Sequence, residues 1–154
     1  WGKDTQDAKY ARDPERSPMQ WNAEANAGFS QETSWLPIHQ NFLNVNVETE
    51  SKNSKSILNL YKNIIYFRKN SQALKYGKYF SYDSGNSNIF AFTREGEKEK
   101  VLIVANFSEN MQKINTSQIP RAKMVLNTGL DAEQKETQLQ NFELKPFEGY
   151  LFQY

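Results

Sequence analysis

The chain has 154 residues, a net charge of +1, no cysteine, one histidine, and 38% hydrophobic and 14% aromatic residues. That length accommodates one ordinary domain with its own core, or the closing part of something larger. Near-neutral charge gives no reason to expect nucleic acid or an anionic membrane as the main partner. The absence of cysteine excludes a disulfide framework and a thiolate metal site, and no apolar run approaches the ~20 residues that span a bilayer.

The chain opens Trp1-Gly2-Lys3 without an initiator methionine and reads as a fragment or a processed piece. Residues 1–11 are polar, lack a period, and read as loop. The following ten residues, Arg12-Asp13-Pro14-Glu15-Arg16-Ser17-Pro18-Met19-Gln20-Trp21, set two arginines, two carboxylates, an amide and an indole between two prolines. Pro14 and Pro18 fix their own φ and push Asp13 and Ser17 out of helical geometry, which favours a stiff loop with splayed side chains. Two readings of this loop stand side by side. An arginine fork can span two neighbouring oxygens such as vicinal sugar hydroxyls, held by an adjacent carboxylate, and Trp21 can offer its face to a pyranose ring. Alternatively, the arginines and carboxylates pair only with one another, which contributes little at a surface.

The run Arg12 to Asn22, followed by Asn26-Ala27-Gly28-Phe29-Ser30, resembles the α-glucosidase and maltase branch of the α-amylase superfamily. There a similar Arg-Asp-x-x-Arg-Thr/Ser-Pro-Met/Phe-Gln-Trp-Asp run follows the last strands of a (β/α)8 barrel. The Pro14-Glu15 pair is more similar to the animal members, insects in particular, than to the bacterial ones. The resemblance implies that Arg16 reaches glucose hydroxyls in the subsite next to the scissile bond, with Arg12 a second choice. It implies that Asp13, Gln20 and Trp21 brace the loop. The Asp usual after the tryptophan is Asn22 here, which removes a charge that supports the loop in the family.

Downstream, Gly28 is free to take positive φ, and Trp35-Leu36-Pro37-Ile38 reads as a compact apolar anchor. His39 lacks the partners of a metal cluster or triad and reads as a surface residue. Residues 49–56 are polar, with Ser54 a fair N-cap. A helix is expected from about Lys55 to Lys69, because Ile57, Leu58, Leu60, Tyr61, Ile64, Ile65 and Phe67 recur at three- and four-residue steps. The stripe is wide enough for a packed helix, which the resemblance makes the eighth outer helix of the barrel.

From Gln72 the pattern is that of strands. Tyr79–Tyr82, Ile89–Arg94, Val101–Phe107, Met111–Ile114, Lys123–Asn127, Thr137–Phe142 and Gly149–Tyr154 give about seven short strands, separated by turn signals such as Asp83-Ser84-Gly85-Asn86. The unbroken apolar run of Val101–Phe107 suits a strand covered on both faces. The expected fold is therefore the end of a (β/α)8 barrel (1–71: last loop and helix) followed by an antiparallel β-sandwich C-terminal domain (72–154).

A retaining glycosidase needs two carboxyl groups close together. In the superfamily these follow the fourth and fifth strands, with a third carboxylate after the seventh, so all three are expected before Trp1, and no catalytic residue is assigned within this chain. Nothing near Asp13 or Glu15 would push their pKa values apart. The resemblance implies a disaccharide or oligosaccharide substrate, the remainder of the barrel as partner, no cofactor or metal held here, and room for Ca2+ in the parent protein. Two sequons, at Asn115 and Asn106, agree with an extracellular glycoprotein, secreted or membrane-anchored through a segment outside this chain; Asn115 is favoured because Asn106 ends a buried strand. Two other classes remain open: a catalytically silent relative of the kind that serves as heavy subunit of amino-acid transporters, and a β-sandwich binding module. The sequence offers no run of exposed aromatics for the latter.

Overall fold

The computed structural model describes residues 14–154, so the loop expected at 1–11, and with it Arg12 and Asp13, lies outside the described residues. The chain divides into two compact units after Asn59.

The first unit is mostly loop punctuated by short turns. Pro14–Arg16 forms a single 3-10 turn, since a proline with φ near −65° suits the start of a helical turn. Ser17 precedes Pro18 and cannot continue it. Further 3-10 turns follow at Ala25–Gly28 and Gln40–Leu43. The segment read as polar from residue 49 contains a helix, α1 (Val47–Lys52). Asn46 caps it by accepting from the Thr49 amide at 2.9 Å, and Glu48 and Glu50 sit at its positive end. A cap followed by acidic residues was a readable signal, but six residues are too few to show a period.

Helix α2 (Ile57–Asn70) begins later than expected, and its cap is Ser56 rather than Ser54. The Ser56 hydroxyl accepts from the Asn59 amide at 3.1 Å and donates to the Glu50 carbonyl at 2.7 Å. Asn59 reaches back to the carbonyls of Glu50, Ser51 and Asn53, so the end of α1 and the start of α2 satisfy one another. The three- and four-residue spacing is real, but the expectation of a packed helix is corrected. Leu60 is buried, whereas Ile57 is 67% and Tyr61 61% exposed, with Ile64, Ile65 and Tyr66 also open. Periodicity fixes where the stripe lies on the helix and not what covers it.

In the second unit, which takes in most of α2, a short helix not named from the sequence precedes the strands. In α3 (Gln72–Tyr76) the Ser71 hydroxyl caps the Leu74 amide at 3.0 Å. Eight strands follow: β1 (Lys78–Ser81), β2 (Ile89–Glu95), β3 (Lys100–Asn106), β4 (Gln112–Ile114), β5 (Arg121–Asn127), β6 (Glu136–Gln138), β7 (Phe142–Leu144) and β8 (Gly149–Gln153). A six-stranded sheet runs β1-β2-β3-β8-β5-β6, a two-stranded one pairs β4 with β7, and every pairing is antiparallel. The single strand expected at 137–142 is two, in different sheets, because the chain turns at Asn141 with φ +56° between them. The sandwich core gathers Ile89, Ala91, Leu102, Val104, Ile114, Leu144 and Phe152 from both sheets. On the opposite face of β3, Val101 and Ile103 pack with Ala73, Leu74 and Phe67. The strand is thus covered on both faces, as its unbroken apolar run implied.

Candidate functional site

Arg16 closes the first 3-10 turn and is exposed. Its guanidinium carbon lies 5.8 Å from the centroid of the Trp35 indole, within the range of a cation–π contact. Trp35 is 72% exposed, and of the expected Trp35-Leu36-Pro37-Ile38 anchor only Leu36 is buried. The chain bends at Trp35 and Leu36, so adjacent side chains part, Leu36 going inward and Trp35 outward.

Beyond Arg16 the loop is held by backbone bonds. The amides of Val47 and Glu48 donate to the carbonyls of Gln20 and Trp21, each at 3.0 Å, and the Gln20 side-chain amide donates to the Val45 carbonyl. Residues 20–21 are thereby stitched to the segment that leads into α1. Trp21 and Asn22 both donate to the Ala27 carbonyl, at 2.8 and 3.2 Å. Around that carbonyl three consecutive residues are left-handed, with φ of +53° at Asn26, +54° at Ala27 and +64° at Gly28. Ala27 is fully buried in a conformation that a β-carbon disfavours. Gly28 is required twice over, since a β-carbon would also meet the Asn22 side chain at 2.5 Å. Asn22 accepts from the Glu24 amide at 3.1 Å. Asn26 donates to the carbonyls of Ser30 and Glu32. This tight loop leaves Trp21 and Phe29 about half exposed. A shallow groove of about 340 Å³, with Pro18, Met19, Gln20, Val45 and Leu58 in its lining, lies beside it. His39 is exposed, and its ring nitrogen Nδ1 accepts from the Asn41 amide at 3.2 Å.

Among the described residues no cluster of three Asp, Glu or His could cradle a metal. The carboxylates that shift all move down: Glu95 through its hydrogen bond to Lys100, Asp131 through Asn127 and Lys145, and Glu133 through Lys135. A general acid needs the opposite shift. Glu148 accepts from the Tyr150 hydroxyl at 2.6 Å, and Lys145 bridges Asp131 at 2.9 Å, so this part of the sandwich is a satisfied ion-pair network.

Of the two sequons, Asn106 is 2% exposed. Its nitrogen donates to the carbonyls of Asn110, Leu144 and Lys145, and its oxygen accepts from the Ser108 amide and hydroxyl. The folded site leaves no space for a glycan there. Asn115 is exposed just beyond β4.

No run of exposed aromatics forming a sugar platform was expected from the sequence, and the structure does hold an aromatic row. Tyr79, Phe92, Phe90 and Phe107 form a row on the second unit, with successive centroids 5.2, 5.5 and 6.4 Å apart and Phe107 70% exposed. Phe90 and Phe92 share a face because strand side chains alternate. The rings are tilted by 31°, 52° and 73° to one another, so they do not make the coplanar floor on which sugar rings stack.

Residues 2–77 match the α-amylase catalytic domain, and residues 81–151 match the maltogenic amylase C-terminal domain. Curated relatives include an oligo-1,6-glucosidase of Bacillus cereus, 33% identical over 147 residues, and maltase 1 of Drosophila virilis, 34% identical over 151. These alignments cover 92% and 93% of this chain but 25% and 24% of the relatives, so the chain spans about a quarter of their length. The insect and bacterial identities are level, and the animal-type likeness of Pro14-Glu15 is not separated by them. Among solved structures, isomaltulose synthase from Klebsiella sp. LX3 superposes with a TM-score of 0.79 at 31% identity, covering 93% of this chain and 26% of that one. Trehalulose synthase from Pseudomonas mesoacidophila MX-45 gives 0.79 at 27%, with the same coverage.

Proposed function

We propose that this chain, which belongs to the α-amylase family of glycoside hydrolases, works as the closing part of a retaining α-glucosidase that releases terminal α-linked glucose from maltose- or sucrose-like sugars. The observation that carries the proposal is the succession of the two family matches, catalytic-domain end and then C-terminal domain, along nearly the whole chain. Relatives named maltase and oligo-1,6-glucosidase support α-glucoside chemistry as the reading. In this reading the reacting carboxylates belong to polypeptide outside these residues. Arg16 contributes to sugar binding at the C-terminal mouth of the barrel, where the loop after the last strand lies, and the stitched loop of Gln20 and Trp21 holds its position. The apolar stripe of α2 and the aromatic row of the sandwich are surfaces for the rest of the catalytic domain, since contiguous exposed apolar patches mark interaction sites. The setting is extracellular, with Asn115 the glycan acceptor.

The test is to assay the parent protein on maltose, sucrose and a nitrophenyl α-glucoside, following the anomer of the released glucose by NMR. Turnover with α-glucose as the first product is the expected outcome, together with none from the 154-residue chain alone. A parent without turnover, binding a membrane partner instead, would establish the catalytically silent reading.

A further inference from the structure

We propose that Trp35 is a positioning residue for Arg16, its indole serving as the surface on which the guanidinium is held in the orientation that meets the sugar. The inference rests on the assignment of Arg16 to substrate binding made above, and it names a residue that the sequence pattern placed in a buried anchor instead.

Three observations point to it. The guanidinium carbon stands 5.8 Å from the indole centroid, although 19 positions separate the two residues and neither belongs to the other's turn. Trp35 keeps 72% of its surface exposed while its neighbour Leu36 is buried to 1%. The backbone there is therefore anchored through Leu36, and the indole is left displayed rather than used for core packing. The Ser34 hydroxyl donates to the Leu36 carbonyl at 2.6 Å, which stiffens the turn presenting the ring.

The chemistry suits the role. An arginine side chain has several rotatable bonds, and a surface arginine samples many rotamers; ordering it on binding sugar costs conformational entropy. A π face restricts it beforehand while leaving the edge of the guanidinium, with its N–H donors, free for hydroxyls. An indole is the best side chain for this because its quadrupole is the strongest of the aromatic rings. A carboxylate partner would instead compete for the same donors.

The experiment is a double-mutant cycle in the parent enzyme, reading kcat/KM on the nitrophenyl α-glucoside and thermal midpoint for each variant. Trp35→Leu is expected to lower kcat/KM by about fivefold, the size of an exposed-to-partly-desolvated cation–π contact. Trp35→Tyr, which keeps a π face, is expected to recover most of that. In the Arg16→Ala background the Trp35→Leu change is expected to cost nothing further. An equal loss in both backgrounds, or no recovery by tyrosine, would overturn the positioning role and leave Trp35 a merely structural residue. If Arg16→Ala is itself without effect, the assignment of Arg16 fails, whatever Trp35 does. If Arg16→Ala is impaired while Trp35→Leu is normal, only the present inference fails.

Discussion

Tyr150 packs into the sandwich core, and burial, aided by the hydrogen bond of its hydroxyl to Glu148, pushes its pKa up from 10.0 to about 12. Tyr154 is raised to about 12 by burial and by the negative charge of Glu95. The direction of the pH effect follows from which state holds the proton. Above pH 10 the unfolded chain loses these protons first, so the folded state binds more of them and stability falls as pH rises. The contribution is complete below the unfolded value and lost as pH climbs through about 12. Urea midpoints measured from about pH 9 to 12 should fall steeply, and Tyr150→Phe should flatten part of that slope. An identical slope in the Tyr150→Phe, Tyr154→Phe double variant would refute the assignment. Single residues were the least legible part of the sequence. Asn106 could be read as ending a covered strand, yet its five hydrogen bonds, to residues as far along as Lys145, depend on how distant turns meet.

Among the elements, those with long periodic signals and most of the short strands were found, whereas the short helices were not. The three- and four-residue steps from Ile57 to Phe67 and the apolar run from Val101 gave α2 and β3 close to their observed limits. α1 and α3, of six and five residues, rest on caps alone. Two serines could cap α2. Ser56 prevails because its hydroxyl reaches the amide three residues on and the Glu50 carbonyl at the same time. Ser56→Ala is expected to lower stability by about 1 kcal/mol, with Ser54→Ala close to neutral. Thermal or urea unfolding of the two variants decides it, and equal effects would show that the cap lies elsewhere.

For the whole molecule, the family and the order of barrel end and sandwich were legible because the stretch from Arg12 to Phe29 is a specific pattern and the second half carries regular turn signals. Which apolar faces are covered was not legible. Periodicity shows that a stripe exists, and only the surrounding polypeptide determines what lies on it. The stripe on α2 is therefore an amphipathic pattern correctly seen, but one left open within this chain. The left-handed path of Asn26 and Ala27 was equally hidden, since neither residue type signals it as glycine does.

The most direct test of the account is kcat/KM of the parent enzyme with Arg16→Ala on a nitrophenyl α-glucoside. Loss of a charged hydrogen bond in a closed site removes a few kcal/mol of transition-state binding, on the order of a hundredfold in rate. A loss of that size, with the thermal midpoint unchanged, is the result expected. An Arg16→Ala enzyme with unaltered kcat/KM would contradict the account.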